Sequence, residues 1–416
     1  MYQFKADIPV GEFTAFVEKS SFATIQQTEE WSKLKNNWKS SFCGIYKDNA
    51  LVGVALILMR TLMPGFTYAY CPRGPLMDFC DSEAVQTFTK GAKEYCKSHG
   101  VYLLKVDPTI VVGKTLPDMP TDKYFDPFDL EKGKIEFDNL VASGFKHKGF
   151  GKSLDSATQP RYNALIPLKD SEGNPLTAAQ FKKNYKQKLR KYLGNFQVAR
   201  GLYYEGAEHT DENITLFKKI LSNTEARQNI SLRNEEYFNL LADAFGDKAF
   251  FAFEKCNVNT YIENLEKRYE KEPEMREKIA EQLEDAKKVM AERGETVPLA
   301  ALLTVYPPNQ EGVKIAEYLY AGSDLTVFSS FCATLCGLCT QCTYCAEKGC
   351  DFLDLGGVPG TFDDGLYDFK SPFNPIIVEY AGEFDLAISN TKYAIMEKGL
   401  PVLKKGYSKI RKLLKR

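Results

Sequence analysis

One order of elements occurs twice in this chain. In the first copy, apolar strand patterns at 51–59 and 66–71 lead into a helical pattern at 82–99, a glycine at 100 and a strand at 101–107. In the second, strands at 299–306 and 316–322 lead into a helix at 328–348, a glycine at 349 and a strand at 351–355. Tyr95, Cys96 and Gly100 recur as Tyr344, Cys345 and Gly349 at a constant offset of 249 residues, and Gly74 recurs as Gly322 at 248. A supersecondary unit repeated at fixed spacing marks a duplicated domain, and strands mixed with helices place it in the α/β (α+β) class. Both helices end on the glycine expected just past a helix C-terminus.

Two features lie between the copies. Thr177 opens a helix with a capping box to Gln180; Phe181, Tyr185, Leu189 and Leu193 form its stripe, and Gly194-Asn195 ends it. From 181 to 200 there are seven Lys or Arg and no acid, which suits a polyanion but is also what a solvated face looks like. The stretch 258–295 carries two apolar seams, one of Ile262, Leu265 and Tyr269, the other of Ile279, Leu283, Ala286 and Met290. Pro273 separates them, so an antiparallel coiled-coil hairpin (258–296) is expected to project from the second copy. The C-terminal KKGYSKIRKLLKR reads either as a basic membrane-surface helix or as a frayed end.

A net charge of −1 gives no general affinity for polyanions, so any such contact needs a local basic patch. The N-terminus lacks a charged-then-apolar secretory pattern, and the longest apolar run (50–59) is half the ~20 residues a membrane helix requires. A cytoplasmic protein with reduced thiols is expected. Six of the eleven cysteines fall within 332–350. Cys332, Cys336 and Cys339, or Cys336, Cys339, Cys342 and Cys345, imitate iron–sulfur spacings. The stretch has no proline and reads as a helix, which does not converge ligands, so these are expected to be core residues, with no metal bound. Gly149 to Ser153 imitates a phosphate loop without its first glycine or following helix; as an acyl-CoA loop it is also a poor match. His99, His147 and His209 lack metal spacing and are read as surface residues, and no Ser or Cys nucleophile stands out.

The stretch from Asp351 to Lys370 carries the chemistry. An apolar strand breaks at Gly356-Gly357, which bares backbone amides, and an irregular loop delivers Lys370 behind aromatic residues. A lysine so placed can face a developing oxyanion.

The repeated unit resembles the core of the GNAT acyltransferase fold. The ordered blocks QTEEWSKLKNNW, YCPRGPLMDF, LLKVDP, GFKHKGF, TQPRYN, ARQNISLRNEEYF, EYLYAGS, LDLGGVPG, DGLYDFK and VEYAGEFD resemble the FemABX family of tRNA-dependent peptidoglycan aminoacyltransferases. The hairpin resembles the insertion of the FemA-like and MurM-like members. The resemblance implies two GNAT-like domains, 1–158 with 381–416, and 159–380. It implies transfer of an amino acid from aminoacyl-tRNA to an amine of the precursor stem peptide or cross-bridge, with lipid II as acceptor. Lys35, Ser231, Arg233, Tyr237 and Tyr320 would hold the precursor's diphosphate and nucleotide or sugar. Lys370 would stand at the reacting centre, and Asp107 matches an acid proposed as a base. Lys183, Lys186, Lys188, Arg190 and Lys191 are candidates for tRNA contact. No cofactor beyond the charged tRNA and no DNA partner are expected; peripheral docking at the inner face of the plasma membrane and the oligomeric state stay open. The cysteine-filled helix departs from the Ala, Trp and Ile usual in the family. The alternative is a tandem acyl-CoA-dependent N-acyltransferase.

Overall fold

The computed structural model describes residues 1–154 and 158–397; the basic C-terminal stretch from 404 lies outside them. Its strands are β1 (Tyr2–Lys5), β2 (Lys39–Lys47), β3 (Ala50–Met63), β4 (Phe66–Cys71), β5 (Leu76–Met77), β6 (Val101–Val106), β7 (Val111–Thr115) and β8 (Lys146–His147). They continue as β9 (Tyr162–Pro167), β10 (Leu202–Ala207), β11 (Ala249–Asn257), β12 (Thr296–Val305), β13 (Ile315–Ser323), β14 (Phe352–Gly357), β15 (Ile376–Tyr380) and β16 (Phe384–Ala387). The chain divides into two compact units. Unit 1 holds residues 1–113, 128–161 and those from Glu379 on; unit 2 holds 114–127 and 162–378. The segment 114–127, assigned to the first domain from sequence, groups with unit 2.

The sheet of unit 1 runs β1-β2-β3-β4-β6-β16-β8, and that of unit 2 contains the run β10-β11-β12-β13-β14-β9. Pairings match in sign: antiparallel through the first four strands, parallel at β4–β6 and β13–β14, antiparallel again at β6–β16 and β14–β9. The duplication is therefore visible in topology as well as in sequence. Gly100 and Gly349 adopt positive φ (68° and 80°) at the ends of the two matching helices, Ser82–Ser98 and Ala333–Glu347, conformations that glycine takes without a side-chain penalty. The Gly74–Gly322 match slips by one. Lys105 and Asp354 are 249 apart, while their strand partners Tyr70 and Glu317 are 247 apart, so position 74 corresponds to 321.

Several elements differ from expectation. The tryptophan segment forms only a short helix, Glu29–Leu34, capped by Thr28. The basic helix has its capping box at Thr177 and Gln180 but stops at Asn184. Tyr185 and Lys186 are extended, and a four-residue helix, Gln187–Arg190, follows. Phe181, Tyr185 and Leu189 are still buried, so the apolar stripe survives the break by docking into the core. Helices Val258–Lys271 and Arg276–Arg293, joined by a single turn at Pro273, pack on each other through residues including Leu265, Ile279 and Ala286. Rather than standing clear, they share the core of unit 2: Tyr261 packs on Phe328 and Phe331. Tyr269 of the expected seam is exposed.

The cysteine helix spans Ala333–Glu347, with Cys336, Cys339, Cys342 and Cys345 buried against the sheet. Burial pushes the Cys342 thiol up to about 12, so it stays protonated and packs as a small apolar group. Small residues allow a close approach: a Cβ on Gly337 would lie 3.0 Å from Leu302. His147 is not a surface residue. It is half-buried among Phe137, Phe150 and Phe384, with Nε2 2.9 Å from the Ala381 carbonyl, and burial lowers its pKa.

Candidate functional site

In unit 2 the two central parallel strands stay paired only from Ile315↔Phe352 to Glu317↔Asp354. Beyond that point β13 continues to Ser323 beside β12, and β14 bends toward β9, where Gly357 pairs with Asn163. The register shift between Asp354 and Gly357 creates the bend, and Gly356 supplies it with a φ of 78°. The carboxyl ends of the two strands therefore diverge, the position where open α/β sheets take ligands.

Lys370 lies at the β14 side. The aromatic run before it is helical, Gly365–Lys370, because Asp364 caps it by accepting from the Tyr367 amide at 2.8 Å. The sequence signal for this helix was the Asp364 cap, overlooked in favour of an irregular loop. Lys370 is only 5% exposed; its Nζ donates to the Gly357 carbonyl at 2.6 Å. Desolvation lowers its pKa to about 8, opposed by the charges of Asp354 and Asp364. Asp354 is itself fixed, accepting from the Gly356 amide at 2.7 Å and from Asn163 Nδ2 at 2.6 Å. One amide expected to be bare is thus already occupied.

On the β13 side, Tyr320 meets Tyr237 with ring centroids 6.1 Å apart and hydroxyls 3.5 Å apart. The exposed Arg233 guanidinium lies 5.1 Å from the Tyr237 ring centroid. Arg233 and Ser231 ride the loop between helices Asp211–Gln228 and Glu235–Phe245. That loop is tied down by Glu225, whose carboxylate accepts from the Leu232 amide and pairs with Lys218. In the same turn, Thr224 Oγ1 accepts from the Ser323 amide at 3.0 Å, and Arg227 Nη2 donates to Ser323 Oγ at 3.2 Å. The last turn of one helix thus organises both the Arg233 loop and the end of β13. Sequence reading missed Thr224, Glu225 and Arg227, since a polar helix end gives no periodic signal.

Asp107 and Lys35 belong to unit 1. Asp107 is 1% exposed and accepts from Tyr70 Oη at 2.6 Å, the Arg73 amide at 2.7 Å and the Gln159 amide at 2.8 Å. Burial raises its pKa, while Arg73 and these donors pull it down. Its carboxylate stitches three segments together. Lys35 sits at the C-terminal end of the helix Glu29–Leu34, with Nζ 4.5 Å from the centroid of the Trp31 ring. Lys183, Lys186, Lys188, Arg190 and Lys191 are all exposed, and Arg190 is braced by its own chain through the carbonyls of Tyr185 and Lys183. The Gly149–Ser153 segment lacks helical structure, and Arg161 Nη1 donates to the Gly151 carbonyl at 3.1 Å.

A duplicated α/β unit, one copy of which opens at the ends of its parallel strands, defines the GNAT-like architecture expected of the chain. The model of the FemAB family matches residues 8–288 and 268–398, and the chain belongs to that family. It is 26% identical to the lipid II:glycine glycyltransferase of Staphylococcus aureus strain MRSA252, over 99% of both chains. It is 25% identical to the aminoacyltransferase FemA of S. aureus strain bovine RF122 / ET3-1, over 92% of this chain and 95% of that one. Among solved structures it matches FemX with a TM-score of 0.74 and 23% identity, covering 94% of this chain and all of that one.

Proposed function

We propose that the protein is an aminoacyltransferase of peptidoglycan cross-bridge synthesis, moving an amino acid from aminoacyl-tRNA to an amine of a lipid-linked precursor. The observation that carries this reading is the opening of β13 from β14, with Arg233, Tyr237 and Tyr320 on one side and Lys370 on the other. Full-length similarity to a lipid II:glycine glycyltransferase supports the choice of substrate class. An aminoacyl ester is already activated. The acceptor amine attacks the ester carbonyl, the amide bond forms, the amine loses a proton, and the ester bond breaks to release the tRNA ribose hydroxyl. What the protein must supply is placement and stabilisation of the oxyanion.

Lys370, as a cation beside Gly357, takes the second role. Arg233 takes the diphosphate, since a guanidinium engages phosphate oxygens in pairs; Lys35, in unit 1, is proposed separately as a phosphate contact. Tyr237 and Tyr320 offer ring faces and hydroxyls to a sugar or nucleotide, and Ser231 a further hydroxyl. The exposed lysines from Lys183 to Lys191 are assigned to the tRNA backbone. Asp107 acts by holding its loops, since its carboxylate is enclosed and already accepts three hydrogen bonds. Incubating the protein with radiolabelled aminoacyl-tRNAs and purified lipid II tests the reading. Label should enter the lipid fraction with at least one charged tRNA; no transfer from any tRNA to either lipid II or the soluble precursor overturns it.

A further inference from the structure

The β3–β4 hairpin of unit 1 ends in an exposed apolar tip. Leu62 is 48% and Met63 42% exposed, and Pro64 and Gly65 complete the turn. Behind the tip lie aromatic rings, with Trp38, Phe66 and Tyr68 half-buried and Tyr102 buried. Trp38 meets Tyr68 edge-on at 5.3 Å, and Phe66 meets Tyr102 at 5.7 Å. Basic side chains flank them. The exposed Arg60 lies 5.7 Å from the Trp38 ring centroid, and the exposed Lys39 pairs with Met59 in the strand register. Lys392 Nζ donates to the Gly65 carbonyl at 2.8 Å. No acid occurs from Leu56 to Cys71. Asp385 and Glu397 are engaged by Lys105 and Lys148.

The last described helix packs at the same corner. The helix beginning at Asn390 packs Tyr393 and the buried Met396 with Phe66, Tyr68 and Tyr102, while Ile395 is 54% exposed. The sequence from 398 to 416 then carries eight Lys or Arg and no acid. An apolar tip, rings with one polar edge, and a surrounding cationic field form the combination that lies in the interface of an anionic bilayer.

We propose that this corner docks the protein on an anionic phospholipid surface, with Leu62 and Met63 entering the headgroup boundary and Arg60, Lys39 and Lys392 facing lipid phosphates. The proposal deepens the functional reading and rests on it in one respect: a diphosphate at Lys35 would sit close to this surface, because the Trp38 amide donates to the Lys35 carbonyl at 2.8 Å. Co-sedimentation of the full chain with vesicles free of lipid II tests it, comparing phosphatidylglycerol–phosphatidylcholine mixtures with phosphatidylcholine alone. The wild type should partition to the anionic vesicles and be released by salt. Leu62→Ser with Met63→Ser should weaken partitioning about tenfold, and Lys392→Gln about threefold, with the melting temperature and transfer to a soluble precursor unchanged. Equal binding to both vesicle types, or full binding by the double variant, overturns the docking proposal. Failure of transfer to every acceptor, with vesicle binding intact, counts against the enzymatic reading alone.

Discussion

The two sheets begin alike and finish differently. In unit 1, β4 stays paired with β6 from Thr67↔Val101 to Cys71↔Val106; in unit 2, β13 leaves β14 after Glu317↔Asp354. At the 249-residue offset, Asp107 and Gly356 occupy corresponding positions. Asp107 uses its carboxylate to bind β4 and two neighbouring segments shut. Gly356 has no side chain and takes positive φ, so the strand turns aside and Lys370 reaches the adjacent carbonyl. A duplicated scaffold has thus kept one copy as a sealed sheet and opened the other, through opposite residue choices at a single position.

The largest effect should separate these roles. Lys370→Met is expected to lower transfer from aminoacyl-tRNA to lipid II about a hundredfold or more, as loss of an oxyanion donor does. The wild-type rate should fall as pH rises through about 8, where Lys370 loses its proton, and Lys370→Arg should move that limb upward. Burial opposes the charge, so the Met variant should melt no lower than wild type near neutral pH. That opposition is complete below about pH 8 and fades toward the ordinary lysine value of 10.5. A pH profile unchanged in both variants would break the assignment.

Asp107→Ala should do the reverse. It strands the Arg73 amide and the Tyr70 hydroxyl proton and leaves the Gln159 amide only its longer bond to Tyr70 Oη, which costs about 3 kcal/mol in urea unfolding, and the soluble fraction should retain its pH profile. A folded but inactive variant would make Asp107 a participant in the chemistry instead. Arg233→Ala should raise KM for the precursor about tenfold with a smaller change in kcat, since its contact holds in ground and transition states alike. The smallest effect is expected from Cys342→Ala: about 1 kcal/mol of stability, measured thermally, with transfer unaltered.

The repeat, the strand order within each copy and the buried cysteines were legible because each follows a local rule: alternation, helical period, or a glycine past a helix end. The register slip at Gly74 was not, because a shared residue type fixes no hydrogen-bond pairing. The break at Tyr185 escaped notice since its apolar stripe continues across the break; burial is satisfied either way. Of the site, Lys370 and Gly356 announced themselves by residue type, and Arg233, Tyr237 and Tyr320 through family blocks. Among the partners that hold them, Asp364 carries a cap signal in the sequence, while Asp354 and Glu225 are ordinary surface-type acids there. Only their hydrogen bonds give those two away.

The return of the chain to unit 1 sets an order of assembly. β6 is covered by β16, and β8 joins the sheet only through β16, so the first unit lacks its closing strand until residue 384 has been synthesised. On the ribosome, unit 2 has nearly all its residues while the N-terminal sheet still presents β6 as a raw edge open to mispairing. Birth order and completion order are inverted: the unit made first is the one finished last.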